Sequence, residues 1–415
     1  MALKKKPVNG MKDIMPLEME IRDYVQGIIK DTYKDYGFTP IETPCMENIA
    51  NLSNNQGGEN EKLIFKVLKR GEKLKLETAK SEDDVVDYGM RYDLTVPLCR
   101  YYSAHANDLP SPFKALQMGP VWRADRPQRG RYRQFMQCDI DILGEGSILA
   151  EIELILATTH TLGKIGFSDF EIRINERRIL KAMALYSGFS EDDISSVLIT
   201  LDKMDKIGIE GVSNELISDG YDKSMVDKYL ELFEISKQDD ALDKLYEILK
   251  DYLDKEITDN LKSIISTVEK AKKADFKIVF DPTLVRGMGY YTGTIFEIAM
   301  PQFGGSCGGG GRYDNMVGNF TGQSVPACGF SIGFERIILL LLENGFKVPQ
   351  SADKIAFLIE KGYPNEALPQ IMDQAAQLRE QGNKVLVVRM NKNKKFQKDK
   401  LCEQGYTQIK EFFNK

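Results

Sequence analysis

The stretch that decides the fold is Phe113–Gly144, FKALQMGPVWRADRPQRGRYRQFMQCDIDILG. Two apolar runs, Ala115–Trp122 and Phe135–Leu143, flank a segment that sets Arg123, Arg126, Arg129, Arg131 and Arg133 against the single acid Asp125. Strand-forming runs joined by an Arg-, Gly- and Pro-rich connection predict a β-hairpin with a cationic loop. Guanidinium forks match phosphate oxygens in bidentate geometry, so such a loop suits a polyphosphate. A solvated charged loop is the competing reading, and the loop alone does not separate the two.

Upstream, Leu17–Tyr36 places Leu17, Ile21, Val25, Ile28 and Ile29 on one helical face. Gly37 fits a C-cap, and Phe38–Glu42 reads as a strand before Pro44. Such a pair suits a dimer interface or an ordinary core. Asn51–Asp87 is polar and predicts a long loop that orders on ligand binding. In GMRYDLTVP, Gly89–Pro97, Asp93 stands in an apolar, strand-like context. Its carboxylate either holds an ammonium group or caps a turn.

Downstream, Ser147–Leu162 reads as a helix and Phe170–Ile174 as a strand. Asn175–Lys273 is rich in Lys, Asp, Glu, Leu and Ile at helical spacing, without a catalytic-looking cluster, and predicts an inserted helical domain. Phe276–Glu297 reads as two strands around Arg286-Gly287-Met288-Gly289-Tyr290-Tyr291, where glycine admits close approach and arginine and tyrosine offer polar contact. The run Gly304–Gly311, GGSCGGGG, precedes Arg312-Tyr313-Asp314. It lacks the Lys-Ser/Thr of a P-loop and opens no GxGxxG helix, so it reads as room for a substrate beside a strand. Gly329–Ile337 leads into an apolar helix, Ile337–Leu342, with Arg336 either facing a phosphate or pairing with Glu335. Beyond Pro349, a strand (Lys354–Glu360), a helix (Glu366–Gln381) and a strand (Lys384–Val388) predict a small α/β unit. The five lysines of Asn391–Lys400 fit a nucleic-acid backbone or a solvated loop.

Composition sets the outer bounds. A chain of 415 residues predicts two to three domains. A net charge of -6 excludes a basic nucleic-acid coat and leaves only a local patch for such a partner. No apolar run is long enough to span a bilayer, and MALKKKPVNG is followed by no apolar core, so no secretory signal is expected. Cys45, Cys99, Cys138, Cys307, Cys328 and Cys402 are scattered without a CxxC pair, which points to a reducing compartment and away from structural zinc. His105 and His160 lie in unrelated contexts, against serine–histidine chemistry or a His-rich metal centre.

Over residues 7 to about 345 these motifs resemble class II aminoacyl-tRNA synthetases, and among them the histidyl-tRNA synthetase family. Arg123-Ala-Asp125 with RPQRGRYRQF resembles the second class motif, with Asp125 in place of the usual Glu. Gly329–Arg336 resembles the third, and the Leu17–Tyr36 helix ending near Pro44 the first. LVRGMGYYTG and GGGGRYD are similar to the two signatures peculiar to the histidine-specific members. The resemblance implies an α+β fold, with an antiparallel sheet flanked by helices in residues 1–175 and 274–345. It also implies an inserted helical domain over 176–273 and a shortened α/β anticodon-binding-like domain over 350–415. A cytoplasmic homodimer is the expected assembly.

The implied activity is histidine–tRNA ligation. L-Histidine and ATP give histidyl-adenylate, with Mg2+ accompanying the triphosphate, and the 3′ end of the tRNA then takes the histidine. By the same resemblance Arg123 and Arg286 are catalytic, at the α-phosphate, while Arg131 and Arg336 hold the outer phosphates and Phe135 stacks on adenine. Asp93 with Leu94 and Thr95 would hold the ammonium group, Gln137 would bind near the amino and carboxylate end, Asp141 and Tyr291 would grip the imidazole nitrogens, and Tyr290 would line the pocket. Arg126, Gln128 and Arg129 are candidates for the tRNA acceptor end, and no side chain is implied as a metal ligand. Two departures stand out: Gly289 replaces the family's usual Asp, and the C-terminal domain is short, its last strands expected to be missing. Two alternatives follow: the regulatory subunit of ATP phosphoribosyltransferase, and an adenylate-forming paralogue with a non-tRNA acceptor. The presence of Arg123, Arg286 and Arg336 weighs against the regulatory subunit.

Overall fold

The structure, a computed structural model, describes residues 3–53, 61–236, 238, 240–285, 289–349 and 352–414. The chain forms two compact units, one of residues 1–13 with 22–344, the other of residues 14–21 with 345–415.

Helix α1 (Pro16–Asp35) follows the apolar spacing: Ile21, Val25 and Ile29 are buried and Ile28 half-buried, but Leu17, in the first turn, is exposed. Gly37, at φ +80°, closes the helix in the left-handed region that glycine adopts without strain. The predicted strand after it shrinks to Thr39–Pro40 (β1). Proline offers no N–H, which confines it to an edge.

The first unit is built on an eight-stranded sheet of order β1-β5-β6-β11-β10-β9-β7-β8. The further strands are β5 (Phe113–Trp122), β6 (Gln134–Leu143), β7 (Phe170–Glu176), β8 (Phe276–Phe280), β9 (Thr294–Met300), β10 (Gly305–Arg312) and β11 (Ala327–Ile332). The predicted hairpin lies second and third from one edge of it: β5 and β6 pair antiparallel from Phe113↔Leu143 to Trp122↔Gln134. The sheet is mixed rather than wholly antiparallel, because β1 runs parallel to β5 and β7 parallel to β8. Parallel neighbours need long crossovers, and the β7–β8 crossover carries the six helices described between Arg177 and Ala271. Those helices belong to the first unit. Asp222 and Asp254 cap two of them, each accepting from a backbone N–H of the first turn.

Asn51–Asp87 is not one long loop. Met46–Asn48 (β2), Lys66–Leu68 (β3) and Val86–Met90 (β4) form a second, antiparallel sheet of order β2-β4-β3, and residues 54–60 lie outside the described residues. Asp93 stands between β4 and helix α2 (Thr95–His105), in a turn rather than a strand.

The second unit has a parallel sheet of order β13-β12-β14, made of Lys354–Ile359 (β12), Lys384–Arg389 (β13) and Gln408–Phe412 (β14). The third strand lies beyond the last one read from the sequence. Strand β12 is buried on both faces, Phe357 packing with Ile371 and Leu358 with Met390 and Leu401, which explains its unbroken apolar run. The lysine-rich stretch forms a helix, Lys394–Glu403, and pairs Lys394 and Lys398 with Glu411.

Candidate active site

Alternation along β6 builds the floor of the site. Gln137, Asp139 and Asp141 share one face, and the buried Cys138, Ile140 and Ile142 share the other. The sheet register aligns Asp139 with Ser331, Gly309, Glu297 and Arg173, and Asp141 with Gly329 and Gly311. The Asp139 row, with Asp141 and Gly329, lines a cavity of about 680 Å³.

The glycine run is a strand, β10, rather than space beside one. A Cβ at Gly310 would fall on the Gly329 carbonyl oxygen, and one at Gly311 would stand 2.6 Å from Thr294 O. A Cβ at Gly329 would fall on Asp141 Oδ1. Glycine is required here by the closeness of neighbouring backbone and of the aspartate.

One group of lining residues consists of acceptors. Asp93 Oδ1 accepts from Val96 N at 3.0 Å, so it both caps α2 and lines the cavity. Gln137 Nε2 donates to Asp139 at 3.0 and 3.3 Å and to Ser331 Oγ at 3.3 Å. Tyr313 donates to Asp141 Oδ1 at 2.6 Å. Gln137 Oε1 and Asp141 Oδ2 are buried and have no hydrogen-bond partner among the described residues. Burial pushes the Asp139 carboxyl up to about 7; Asp93 adds to this, while Ser331, Arg123 and Gln137 work against it. Burial, reinforced by Asp139, holds Asp141 well above the usual carboxylate range against the Tyr313 hydrogen bond. Thr95, Tyr290 and Tyr291 line the same cavity, the two tyrosine rings 4.8 Å apart. Leu94 does not: its side chain is fully buried and its carbonyl accepts from Gln117 Nε2 at 3.1 Å. Its chain neighbours are turned to the cavity, and it is turned to the core.

The cations form a second group. Arg123 donates through Nε to Tyr92 O at 3.0 Å, and its guanidinium lies 4.4 Å from the Tyr92 ring centre and 5.1 Å from that of Phe135. Arg131, Phe135, Gln128 and Arg336 also line the cavity. Arg131 stands 3.8 Å from Asp125. Arg336 donates to Ser306 O and lies 5.3 Å from the Phe303 ring centre. The Glu335 carboxylate accepts from Arg22, at 2.6 and 2.8 Å. Arg126 and Arg129 are exposed and outside the lining, and Arg129 pairs with Glu343 at 2.5 Å. Arg286 lies outside the described residues. The segment leading to it is held by Asn175 Nδ2, which donates to Pro282 O at 3.2 Å and Leu284 O at 2.9 Å. A Cβ at Gly289 meets none of the described residues within 4 Å.

Asp139, Ser331, Glu297 and Tyr313 escaped the sequence reading. The period-2 alternation of an otherwise apolar strand marks Asp139 beside Gln137 and Asp141. Tyr313 stands in the GGGGRYD motif, but its reach to Asp141 depends on a neighbouring strand and carries no local signal. Asp202 and Lys206 of the helical crossover also line the cavity, although that segment showed no catalytic-looking cluster.

A mixed sheet with an arginine-bearing hairpin and a flanking helix-borne arginine is the class II aminoacyl-tRNA synthetase arrangement. The model of the family "Histidyl-tRNA synthetase" matches residues 10–337. A histidine–tRNA ligase of Leifsonia xyli subsp. xyli is 43% identical over 411 residues, 96% of this chain and 93% of the relative. The crystal structure of histidyl-tRNA synthetase from Nostoc sp. PCC 7120 superposes with a TM-score of 0.78 at 29% identity, covering 97% of this chain and 90% of that one. A Bacillus halodurans C protein described as an ATP phosphoribosyltransferase regulatory subunit/histidyl-tRNA synthetase shares the fold, with a TM-score of 0.77 at 18% identity and full coverage of both chains (100% each). The chain belongs to the histidyl-tRNA synthetase family.

Proposed function

We propose that the cavity joins L-histidine to ATP and then passes it to the 3′ end of its tRNA. One observation carries the reading: two buried acceptors, Gln137 Oε1 and Asp141 Oδ2, have no partner among the described residues in a cavity that Arg123, Arg131 and Arg336 also line. Each unmet buried acceptor costs about 1–3 kcal/mol, and a ligand with donors at both ends removes that cost. Histidine has such donors in its ammonium group and its imidazole. Asp139 and Ser331 hold the Gln137 amide nitrogen, so its carbonyl is left for the ligand. In this reading Asp93, Thr95 and Gln137 take the ammonium group, Asp141 and Tyr291 the ring nitrogens, and Tyr290 lines the pocket. A neutral imidazole offers one donor and one acceptor, which a carboxylate and a phenol answer.

The histidine carboxylate attacks the α-phosphorus of ATP. A new carboxylate–phosphorus bond forms, the bond to the β-bridging oxygen breaks, and diphosphate leaves. The attacking group is already ionised at neutral pH, so no general base is needed. The demand is for charge stabilisation and in-line placement. Arg123, fixed by the Tyr92 carbonyl, and Arg286 meet it at the α-phosphate. Arg131 and Arg336 take the outer phosphates and Phe135 the adenine. Magnesium bound with the triphosphate would supply charge neutralisation beside these arginines. Among the described residues no group of three or more metal-ligating side chains stands together, so phosphate and water oxygens would supply most of its ligands. Arg126, which is exposed, and Gln128, which lines the cavity, are the candidates for the tRNA end, whereas Arg129 is engaged by Glu343. No helix among the described residues is long and apolar enough to cross a membrane. A cytoplasmic homodimer completes the proposal.

Histidine-dependent ATP–diphosphate exchange, run beside tRNA charging, tests it. Arg286→Ala is expected to lose about 10²–10³ of the exchange rate, as for other charge-stabilising donors. Exchange without charging would move the chain to the non-tRNA acceptor. Folded protein without exchange would move it to the regulatory reading.

A further inference from the structure

The β6–β11 ladder ends at the Cys138↔Ile332 pair, where the chain turns through Gly333 into the helix Phe334–Glu343 (hereafter the C-flanking helix). The Met136 N–H lies beyond that last pair and has no strand acceptor on that side. It donates instead to Glu335 Oε1 at 3.0 Å. The same oxygen accepts from Arg22 Nη2 at 2.8 Å, and Oε2 accepts from Arg22 Nη1 at 2.6 Å. Arg22, on α1, also lies 4.8 Å from the Phe334 ring centre. Arg22 and Glu335 are both buried.

We infer that Glu335 is a positioning residue for the nucleotide: it locks the Phe135–Met136 segment to the start of the helix that bears Arg336, and Arg22 holds it there from α1. Phe135, Met136 and Arg336 all line the cavity. A carboxylate that accepts from two donors at one oxygen is fixed in direction, and a charged acceptor makes the stronger kind of backbone hydrogen bond. If the link is lost, the ring and the guanidinium drift relative to each other, while the acceptors for the amino acid, held by Asp139, Ser331 and Tyr313, stay in place. The inference rests on the adenylation reading only in taking ATP as the nucleotide.

The test is the full chain carrying Arg22→Met and Glu335→Met together, with Glu335→Gln as the conservative variant. Either Met change alone leaves a buried group unpaired and threatens folding, whereas replacing both members of a buried pair by apolar side chains is often neutral. Three readouts are taken: the thermal midpoint, hydrogen exchange of the Met136 amide, and KM for ATP and for histidine in diphosphate exchange. The double variant is expected to fold. Its Met136 amide is expected to exchange about tenfold faster and its KM for ATP to rise about tenfold, while KM for histidine stays within about twofold. Glu335→Gln keeps an acceptor and should fall between. A folded double variant with wild-type KM for ATP, or with both KM values rising together, overturns the inference. Wild-type protein without exchange overturns the adenylation reading instead, and the Met136 amide then decides alone: unchanged protection in the double variant overturns the positioning role.

Discussion

Asp139 lies in a row of carboxylates with Asp93 and Asp141 near it, and Arg123 is the cation that offsets them. Its carboxyl titrates at about 7, far above the ordinary aspartate value, chiefly because it is buried. An acid whose pKa is raised by folding stabilises the folded state at low pH, and that contribution is lost as pH rises through the folded pKa. Asp139→Asn should therefore unfold at higher denaturant than wild type at pH 8, and the advantage should shrink towards pH 4. Binding runs the opposite way, because the ionised form is the one that holds the Gln137 amide and attracts an ammonium group. Histidine affinity is expected to weaken as pH falls through about 7. The ligand's own imidazole titrates near 6.5, and the Asp141 carboxyl is also raised, so the diagnostic is the difference from Asp139→Asn, whose profile lacks the Asp139 step. Identical profiles for the two proteins would remove Asp139 from recognition. Gly289 makes a simpler case: a Cβ there meets none of the described residues within 4 Å. Gly289→Asp should leave the thermal midpoint within about 1 °C, as surface changes usually do.

Strand β10 and the GGGGRYD motif show how one element carries both packing and chemistry. Arg312 is buried and bonds Glu151 through two nitrogens, each at 2.7 Å, tying β10 to the helix Leu149–Ile165. It touches no cavity space. Arg312→Ala leaves Glu151 buried and unpaired and should cost about 3–5 kcal/mol of stability, measured by denaturant unfolding, with KM for histidine little changed in the surviving folded protein. Tyr313, the next residue, points the other way and reaches Asp141. This division was only partly legible. The hairpin, α1 and the helical crossover follow from periodicity and turn chemistry, which are local signals. The placing of Gln137 and Asp141 side by side follows from the pleat of one strand. By contrast, the parallel edge pairs, the sheet formed by β2, β3 and β4, and the Tyr313–Asp141 bond depend on which distant segments meet. No window of neighbouring residues holds that information. Leu94 illustrates the same limit: its motif neighbours face the ligand space, but the turn into α2 rotates Leu94 to the core.

On the scale of the whole molecule, the candidate site lies within one of the two units. Every cavity-lining residue falls between Asp93 and Arg336, inside the first unit. The second unit has its own two-sided core around β12. A ligand that binds only the folded first unit stabilises it by mass action, about 2.7 kcal/mol at a hundredfold excess over Kd. Saturating histidine should therefore slow the slowest-exchanging amides of β6 and β11 by about a hundredfold where they exchange through unfolding of that unit. Amides of β12 and β13 should keep their rates. Native-state hydrogen exchange read by fragment mass spectrometry resolves the two sets of strands in one sample. Slowing confined to β6 and β11 would mean that amino-acid recognition is complete within residues 22–344. Equal slowing in β12 and β13 would mean that the two units unfold together and that ligand binding is linked to the stability of the whole chain.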